Sequence, residues 1–227
     1  MSGDFDFEEQ WQAKLVQGLE INIGEAKRKE VMRGCEKLSD SSDRMDVVRW
    51  TVEVMERLDP LIDDEQRHDI FTACACRYPT AGLENLRKKY SETKNTVLVH
   101  GLLQQQFLEE IRAYNNLNDT HMEFILENNM GMAGVIEKDV ITAVKIPAKF
   151  HEYLQTKDPI EKKYYYCHCP RVRTALREES GLSSNYCYCG AGYYRGIWEY
   201  ILQKPVRVEV LESLFKGDEV CRIAVRT

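Results

Sequence analysis

The stretch Gly190-Ala-Gly-Tyr-Tyr-Arg-Gly196 opens the part of the chain that decides the fold. It leads into residues 193–203, where apolar side chains recur at helical spacing, and Pro205 ends that pattern. In residues 206–210 valines alternate with charged residues, as in a half-buried strand. A turn follows at residues 216–218, and the apolar residues after it read as a returning strand. We therefore expect a helix followed by an antiparallel hairpin.

The sequence before this stretch is mainly helical in pattern. Residues 43–58 carry apolar side chains at spacings of three and four, with cap-like residues before them and Pro60 after them. Weaker helical patterns cover residues 6–19, 24–37, 64–76, 81–92 and 96–114. Residues 135–146 are rich in β-branched side chains and predict a strand or hairpin that ends at Pro147.

Together these elements predict an α+β fold. A helical N-terminal region, residues 1–118, is expected to pack on a C-terminal module, residues 119–227, with a small antiparallel sheet and helices. The two parts can equally form one continuous domain. A chain of 227 residues with 43% hydrophobic content is long enough to bury a core without disulfides.

Charge and hydropathy exclude several classes of partner. Acidic residues (37) outnumber basic ones (31), and the net charge of −6 is spread along the chain, so nucleic acid is not expected to bind. The first nine residues are acidic and lack the order of a signal peptide. No apolar run approaches the roughly 18 residues that span a bilayer. We expect a cytoplasmic protein without a membrane partner.

The cysteines are the strongest chemical signal in the sequence. Eight cysteines in a cytoplasmic protein are reduced thiols, metal ligands or catalytic groups rather than a disulfide framework. Four thiols and one imidazole lie in Tyr164-Tyr-Tyr-Cys-His-Cys-Pro170 and Tyr186-Cys-Tyr-Cys-Gly190. Zinc favours four ligands of this mixture, and an iron–sulfur cluster fits the same thiol count. The candidate metal ligands are Cys167, Cys169, Cys187 and Cys189.

Two other roles for these cysteines stay open. Residues two apart in an extended segment point to one face, so Cys167 and Cys169 could simply line a core as small buried hydrophobes. Alternatively, Cys167 is a catalytic nucleophile and His168 is its base. The pair Cys74 and Cys76 precedes Pro79 at the end of a helical pattern and is interpreted as core.

Aromatic residues surround the cysteines and suggest a ligand pocket. Such side chains combine apolar bulk with a hydrogen-bonding tip, although tyrosine and tryptophan also serve as ordinary strand and core residues. The candidate ligand-binding residues are Tyr166, Tyr188, Tyr193 and Trp198. The expected ligand is a small apolar or aromatic molecule.

From Cys187 onward the chain resembles the 4-vinyl reductase domain family, which is related in fold to transport-complex subunits that hold an acyl chain. The resemblance covers about 40 residues. It is carried by Cys187, by residues 192–196 entering a helix, by Pro205 before a strand, and by Gly217-Asp218 before Cys221. It implies a small-ligand-binding or sensor protein.

Family members that bind zinc use cysteines at the positions of Cys187 and Cys221, so the resemblance adds Cys221 to the candidate metal ligands. The strand positions of the family's other ligands hold Val210 and Ser213 here. Zinc would then need Cys189, Cys167 or Cys169 in their place.

A more distant similarity is to small hydrolases that act on 2-aminothiazoline-4-carboxylate and use cysteine chemistry. Two functions follow. The first is a ligand-binding or sensor protein with a zinc site, in which the helical N-terminal layer covers the pocket or forms a homodimer. The alternative is a cysteine-dependent hydrolase of a small cyclic or amide substrate, which needs one accessible thiol of low pKa.

Overall fold

The computed structural model describes residues 6–114, 116–178 and 180–227, so most of the acidic N-terminus discussed above lies outside the described part. The protein has the predicted α+β fold. In the described residues six helices precede the first strand: α1 (Phe7–Val31), α2 (Arg44–Leu58), α3 (Asp64–Ala73), α4 (Glu84–Thr93), α5 (Thr96–Tyr114) and α6 (Asp119–Glu127). None of the described helices has the length and apolar character required to cross a membrane.

Four strands form one antiparallel sheet in the described residues, in the order β1-β2-β4-β3. They are β1 (Val135–Glu137), β2 (Val140–Val144), β3 (Arg207–Glu212) and β4 (Arg222–Arg226). Between β2 and β3 the chain forms α7 (Phe150–Gln155), α8 (Pro159–Tyr166), α9 (Pro170–Arg177) and α10 (Tyr188–Leu202). The predicted hairpins at 135–146 and at the C-terminus are confirmed.

Helix α2 follows directly from its sequence. The Asp43 side chain accepts hydrogen bonds from the backbone N–H groups of Met45 and Asp46, which would otherwise lack partners at the helix start. Val47, Val54 and Leu58 share one face and are fully buried. The prediction of a helix over residues 43–58 is confirmed.

Helix α1 combines the two helices predicted over residues 6–19 and 24–37. Its backbone departs from helical geometry at Gly24, whose φ of 76° is a conformation that glycine adopts at little cost. The second part ends at Val31, six residues earlier than predicted.

The cysteine-rich segment is flanked by helices that the sequence analysis did not predict. Pro159 and Pro170 stand at the first positions of α8 and α9, where a missing N–H group costs nothing. Only the short link between these helices is extended, with Cys167 at φ −77° and ψ 131°. Helix α10 also begins five residues before the predicted start at 193.

Helix α10 packs against α3 at very short range. A methyl group at Gly192 would overlap the carbonyl oxygen of Thr72 and lie 2.7 Å from the Ala75 side chain. Glycine is therefore required here by the approach of the two helices. The contact joins the N-terminal helices to the C-terminal module, and one hydrophobic cluster contains Leu15 as well as Trp198.

A buried ion pair makes a second connection between the two halves. Glu8 in α1 and Arg171 in α9 are both fully buried and form a salt bridge. Arg44 adds a second bond to Glu8 at 3.0 Å, and Arg171 also donates to the Tyr186 hydroxyl at 3.2 Å. Its guanidinium stacks over Trp11, 3.9 Å from the ring centre. The boundary predicted at residue 118 stays a prediction.

Replacing Gly192 with alanine should destabilise the protein by at least about 2 kcal/mol, because the methyl group forces α10 away from α3. The matched control is Gly196→Ala in the same helix, where nothing lies within 4 Å of the added group. That change should stabilise the fold by about 0.5–1 kcal/mol, since alanine favours the helix. Denaturant unfolding of both variants measures the difference; equal effects would contradict the close approach.

Candidate functional site

A cavity of about 440 Å³ lies between the start of α10, the sheet and the α8–α9 link. Its lining is mostly apolar and comes from distant parts of the chain. Phe7 lies at the start of α1 and Phe107 in α5, whereas Val210 and Ile223 face each other across β3 and β4. The cavity therefore exists only when both halves of the chain are folded together.

Six of the eight cysteines line this cavity: Cys76, Cys167, Cys169, Cys187, Cys189 and Cys221. The extended link places Cys167 and Cys169 on one side, as the alternation of side chains predicts. Cys187 precedes α10, and Cys189 lies in its first turn. Two cysteine segments that are separate in the sequence thus meet at one cavity. This is the main feature that the sequence pattern indicated.

Burial raises the pKa of most of these thiols. It raises the pKa of Cys187 and of Cys189 to about 12, with the neighbouring cysteines Cys221 and Cys169 respectively adding to the shift. Burial and the neighbouring Cys169 raise the pKa of Cys167 well above its ordinary value. These three groups are therefore neutral thiols at physiological pH and behave as small apolar side chains.

His168 also borders the cavity but is not paired with a thiol. Its Nε2 atom lies 2.7 Å from the carbonyl oxygen of Ile146, whereas the Cys167 sulfur lies 3.9 Å from the carbonyl oxygen of Cys169. Desolvation, with the charge of Lys145, lowers the pKa of His168. The two residues that the hydrolase prediction assigned as nucleophile and base thus bond to different groups.

The five predicted metal ligands all line the cavity, but they do not form a coordination shell. In the residues that the structure describes, no group of three or more His, Cys, Asp or Glu side chains is arranged to hold a metal ion. The thiols also surround the ammonium group of Lys145, which repels a cation. As placed, these side chains do not fit a zinc ion, and zinc or an iron–sulfur cluster stays a prediction.

Lys145 follows β2 directly and extends its pairing with β4, because its backbone N–H donates to the carbonyl oxygen of Cys221 at 3.0 Å. Its ammonium group lies over Gly190 in the first turn of α10, 2.6 Å from where a methyl group at that residue would be. Burial alone would lower the pKa of Lys145, but attraction to Cys221, Tyr194 and other neighbours raises it. That attraction acts only where those groups are ionised, whereas at neutral pH a lysine side chain is ordinarily protonated.

Tyr166, a predicted ligand-binding residue, is a structural bridge. Its hydroxyl donates to the carbonyl oxygen of Lys145 at 2.8 Å and accepts from the backbone N–H of Cys221 at 2.9 Å. The ring is buried and is not part of the cavity lining. Tyr166 thus positions two residues that do line the cavity, one after β2 and one before β4.

The other three predicted aromatic residues are placed differently. Tyr193 lines the cavity, and its hydroxyl lies 3.7 Å from the sulfur of Met132. Tyr188 stacks on His68 with ring centres 3.5 Å apart, and Trp198 is fully buried in the core. Neither of these two borders the cavity.

Sequence reasoning did not single out several lining residues, among them Lys145, Tyr186 and Tyr194. A signal for Lys145 was present, because it is the one charged residue in the apolar run 140–146, between a strand and Pro147. The two tyrosines lay in the aromatic group around the cysteines, but nothing distinguished them from their neighbours.

One family model matches part of the chain. A family model described as a family of unknown function (DUF6144) matches residues 147–226. This range contains α7 to α10 and the last two strands, with five of the six cavity cysteines, and Lys145 lies just before it. No curated protein and no solved structure matches the chain.

Tyr166→Phe should lower the free energy of unfolding by about 1–3 kcal/mol, because the buried N–H of Cys221 and the carbonyl of Lys145 both lose their partner. The control is Tyr164→Phe on the same helix, whose ring packs on Arg177 at 4.7 Å and keeps that contact. The control should change stability by less than about 0.5 kcal/mol. Urea titration followed by circular dichroism measures both; a change as small for Tyr166 as for Tyr164 would refute the bridge.

Thiol labelling at neutral pH should modify Cys76, which is exposed, at least about tenfold faster than Cys167 and Cys189, which are buried and neutral. Mass spectrometry of peptides after timed alkylation measures each rate. The control is Cys76→Ser, which should remove the fast phase only.

A chelator arm of the same experiment tests the metal prediction. Bound zinc would protect the cavity thiols until the chelator is added, and elemental analysis would then find close to one equivalent of metal. If Cys167 instead reacts first without a chelator, the neutral-thiol assignment is wrong and the hydrolase alternative gains support.

Proposed function

We propose that this protein binds a small apolar or aromatic molecule in the cysteine-lined cavity. The observation that carries the proposal is the cavity itself: about 440 Å³ of space with a mostly apolar lining. Small-molecule sites have volumes of roughly 300–1,000 Å³ and combine apolar walls with a few polar groups. An apolar cavity holds water poorly and therefore favours an apolar ligand.

The character of the lining supports binding. Phe107 and Met132 offer an aromatic ring and a flexible thioether, while Tyr193 adds a ring with a polar tip. The thiols that are neutral add further soft, weakly polar surface. This is the class of function that the resemblance to 4-vinyl reductase domains implied, namely a ligand-binding or sensor protein.

The thiols favour binding over covalent catalysis. A cysteine nucleophile needs a lowered pKa and a base within hydrogen-bonding reach, whereas burial raises the pKa of Cys167 and His168 bonds to the Ile146 carbonyl. We therefore rank ligand binding first. A zinc site, a cytoplasmic location and a homodimer stay predictions beside it; the eight free cysteines favour the reducing location.

Val210→Phe should weaken binding of the uncharged dye Nile red by at least about tenfold, because Val210 lines the cavity and a phenyl ring would occupy part of its volume. The measurement is the rise in dye fluorescence on titration with protein. The control is Leu211→Phe at the next position of β3, where the side chain points away from the cavity and is 40% exposed.

The control variant should bind the dye as the wild type does. Equal affinities for Val210→Phe and the wild type would place the dye elsewhere on the protein and reject the cavity as its site. Thermal unfolding of both variants checks that each is folded at the temperature of the titration.

A further inference from the structure

Three residues with ionisable basic or acidic side chains line the cavity: Lys145, His168 and Glu212. Glu212 is paired with Arg222, whose Nε lies 2.7 Å from its carboxylate. The His168 imidazole bonds to the backbone carbonyl oxygen of Ile146. Lys145 is thus the group whose charge is not balanced.

The surroundings of Lys145 supply no anion. In residues 6–114, 116–178 and 180–227, no carboxylate forms a salt bridge with Lys145, and its ammonium group makes no hydrogen bond to the protein. The groups around the ammonium include the thiols of Cys167, Cys187 and Cys221 and the hydroxyl of Tyr194, and none of these is a carboxylate. Gly190, over which the ammonium lies, belongs to the first turn of α10, where the helix dipole is positive.

From this arrangement we propose that the ligand is an apolar monocarboxylic acid, whose carboxylate pairs with Lys145 while its apolar body fills the rest of the cavity. The proposal rests on the proposed function and adds the charged group of the ligand. A carboxylate from the ligand would supply the missing counter-ion inside a mostly apolar cavity. Charge-assisted hydrogen bonds are strong in such surroundings.

The position of Lys145 also fixes the orientation of the ligand. Its backbone is held by the Tyr166 hydroxyl and by the Cys221 carbonyl, so the side chain starts from a rigid point at the end of β2. Val210 and Ile223, which the sheet presents to the same cavity, offer surface for the apolar body. The carboxylate of the ligand is therefore recognised by Lys145 after β2, and its apolar body is recognised by side chains of β3 and β4.

The test compares each acid with its own uncharged amide. Isothermal titration calorimetry would measure cinnamate against cinnamamide, and octanoate against octanamide, for the purified full chain at neutral pH. In the wild type at least one acid should bind at least about tenfold more tightly than its amide. Two acids of different shape are used, because a poor fit of one apolar body to the cavity would otherwise hide a preference for the carboxylate.

The variant Lys145→Met removes the charge and keeps a flexible apolar chain of similar length. Its preference for acid over amide should fall to about twofold or less, and thermal unfolding checks that the variant is folded at the temperature of the titration. Lys145→Arg should keep the preference. Lys149→Met, which changes an exposed lysine four residues away, is the matched control and should behave as the wild type.

Equal binding of acid and amide by the wild type would overturn the proposal, and this result needs no variant to fold. A preference that survives in Lys145→Met would overturn it as well. If Nile red binds normally in either case, the proposed function stands and only the acid group is rejected. If neither the dye nor any acid binds to the wild type, both proposals fail.

Discussion

Helix α10 and helix α3 touch at backbone distance, and the cavity depends on that contact. Gly192 leaves no room for even a methyl group beside Thr72, so the two helices are held at a single separation. Helix α10 carries Cys189, Gly190 and Tyr193 into the cavity, and the chain after α3 supplies Cys76. Since close-packed interiors transmit small displacements, a change at this crossing would move both walls of the cavity together. The glycine therefore acts on the site although it does not line it.

Arg171, which is fully buried, and Lys145, which is partly buried at the cavity, are in opposite situations. Arg171 has its counter-ion within the fold, because Glu8 pairs with it and Tyr186 and Trp11 occupy its remaining surface. Such a paired charge serves packing, and the loss of one partner would leave the other exposed to the full cost of burial. Lys145 has neutral thiols where Arg171 has a carboxylate. A positive charge left unbalanced beside an open space is a property of binding sites rather than of cores.

The parts of the fold that the sequence predicted are those with local causes. Asp43 caps α2 through neighbouring N–H groups, and the valines of β3 alternate with charges, so short segments carried enough information. Helices α8 and α9 were missed because the cysteines and tyrosines between their prolines resemble strand residues. The Glu8–Arg171 pair joins residues 163 positions apart, and no local pattern can indicate a contact of that kind. For the site, the spacing of the cysteines indicated the two segments. The role of Lys145 could not be predicted in this way, because it depends on groups from other parts of the chain that the fold places around it.

The same thiols would have different roles beside a metal ion and beside Lys145. Zinc binds thiolates, and its charge would draw the protons from Cys167, Cys187 and Cys189. The Lys145 ammonium group would then lie among several negative sulfurs and would need no anion from a ligand. Without metal, burial keeps those three sulfurs protonated, and no carboxylate pairs with the ammonium group in the described residues. The metal prediction and the proposed acid binding therefore exclude each other, because each would remove the electrostatic condition that the other requires.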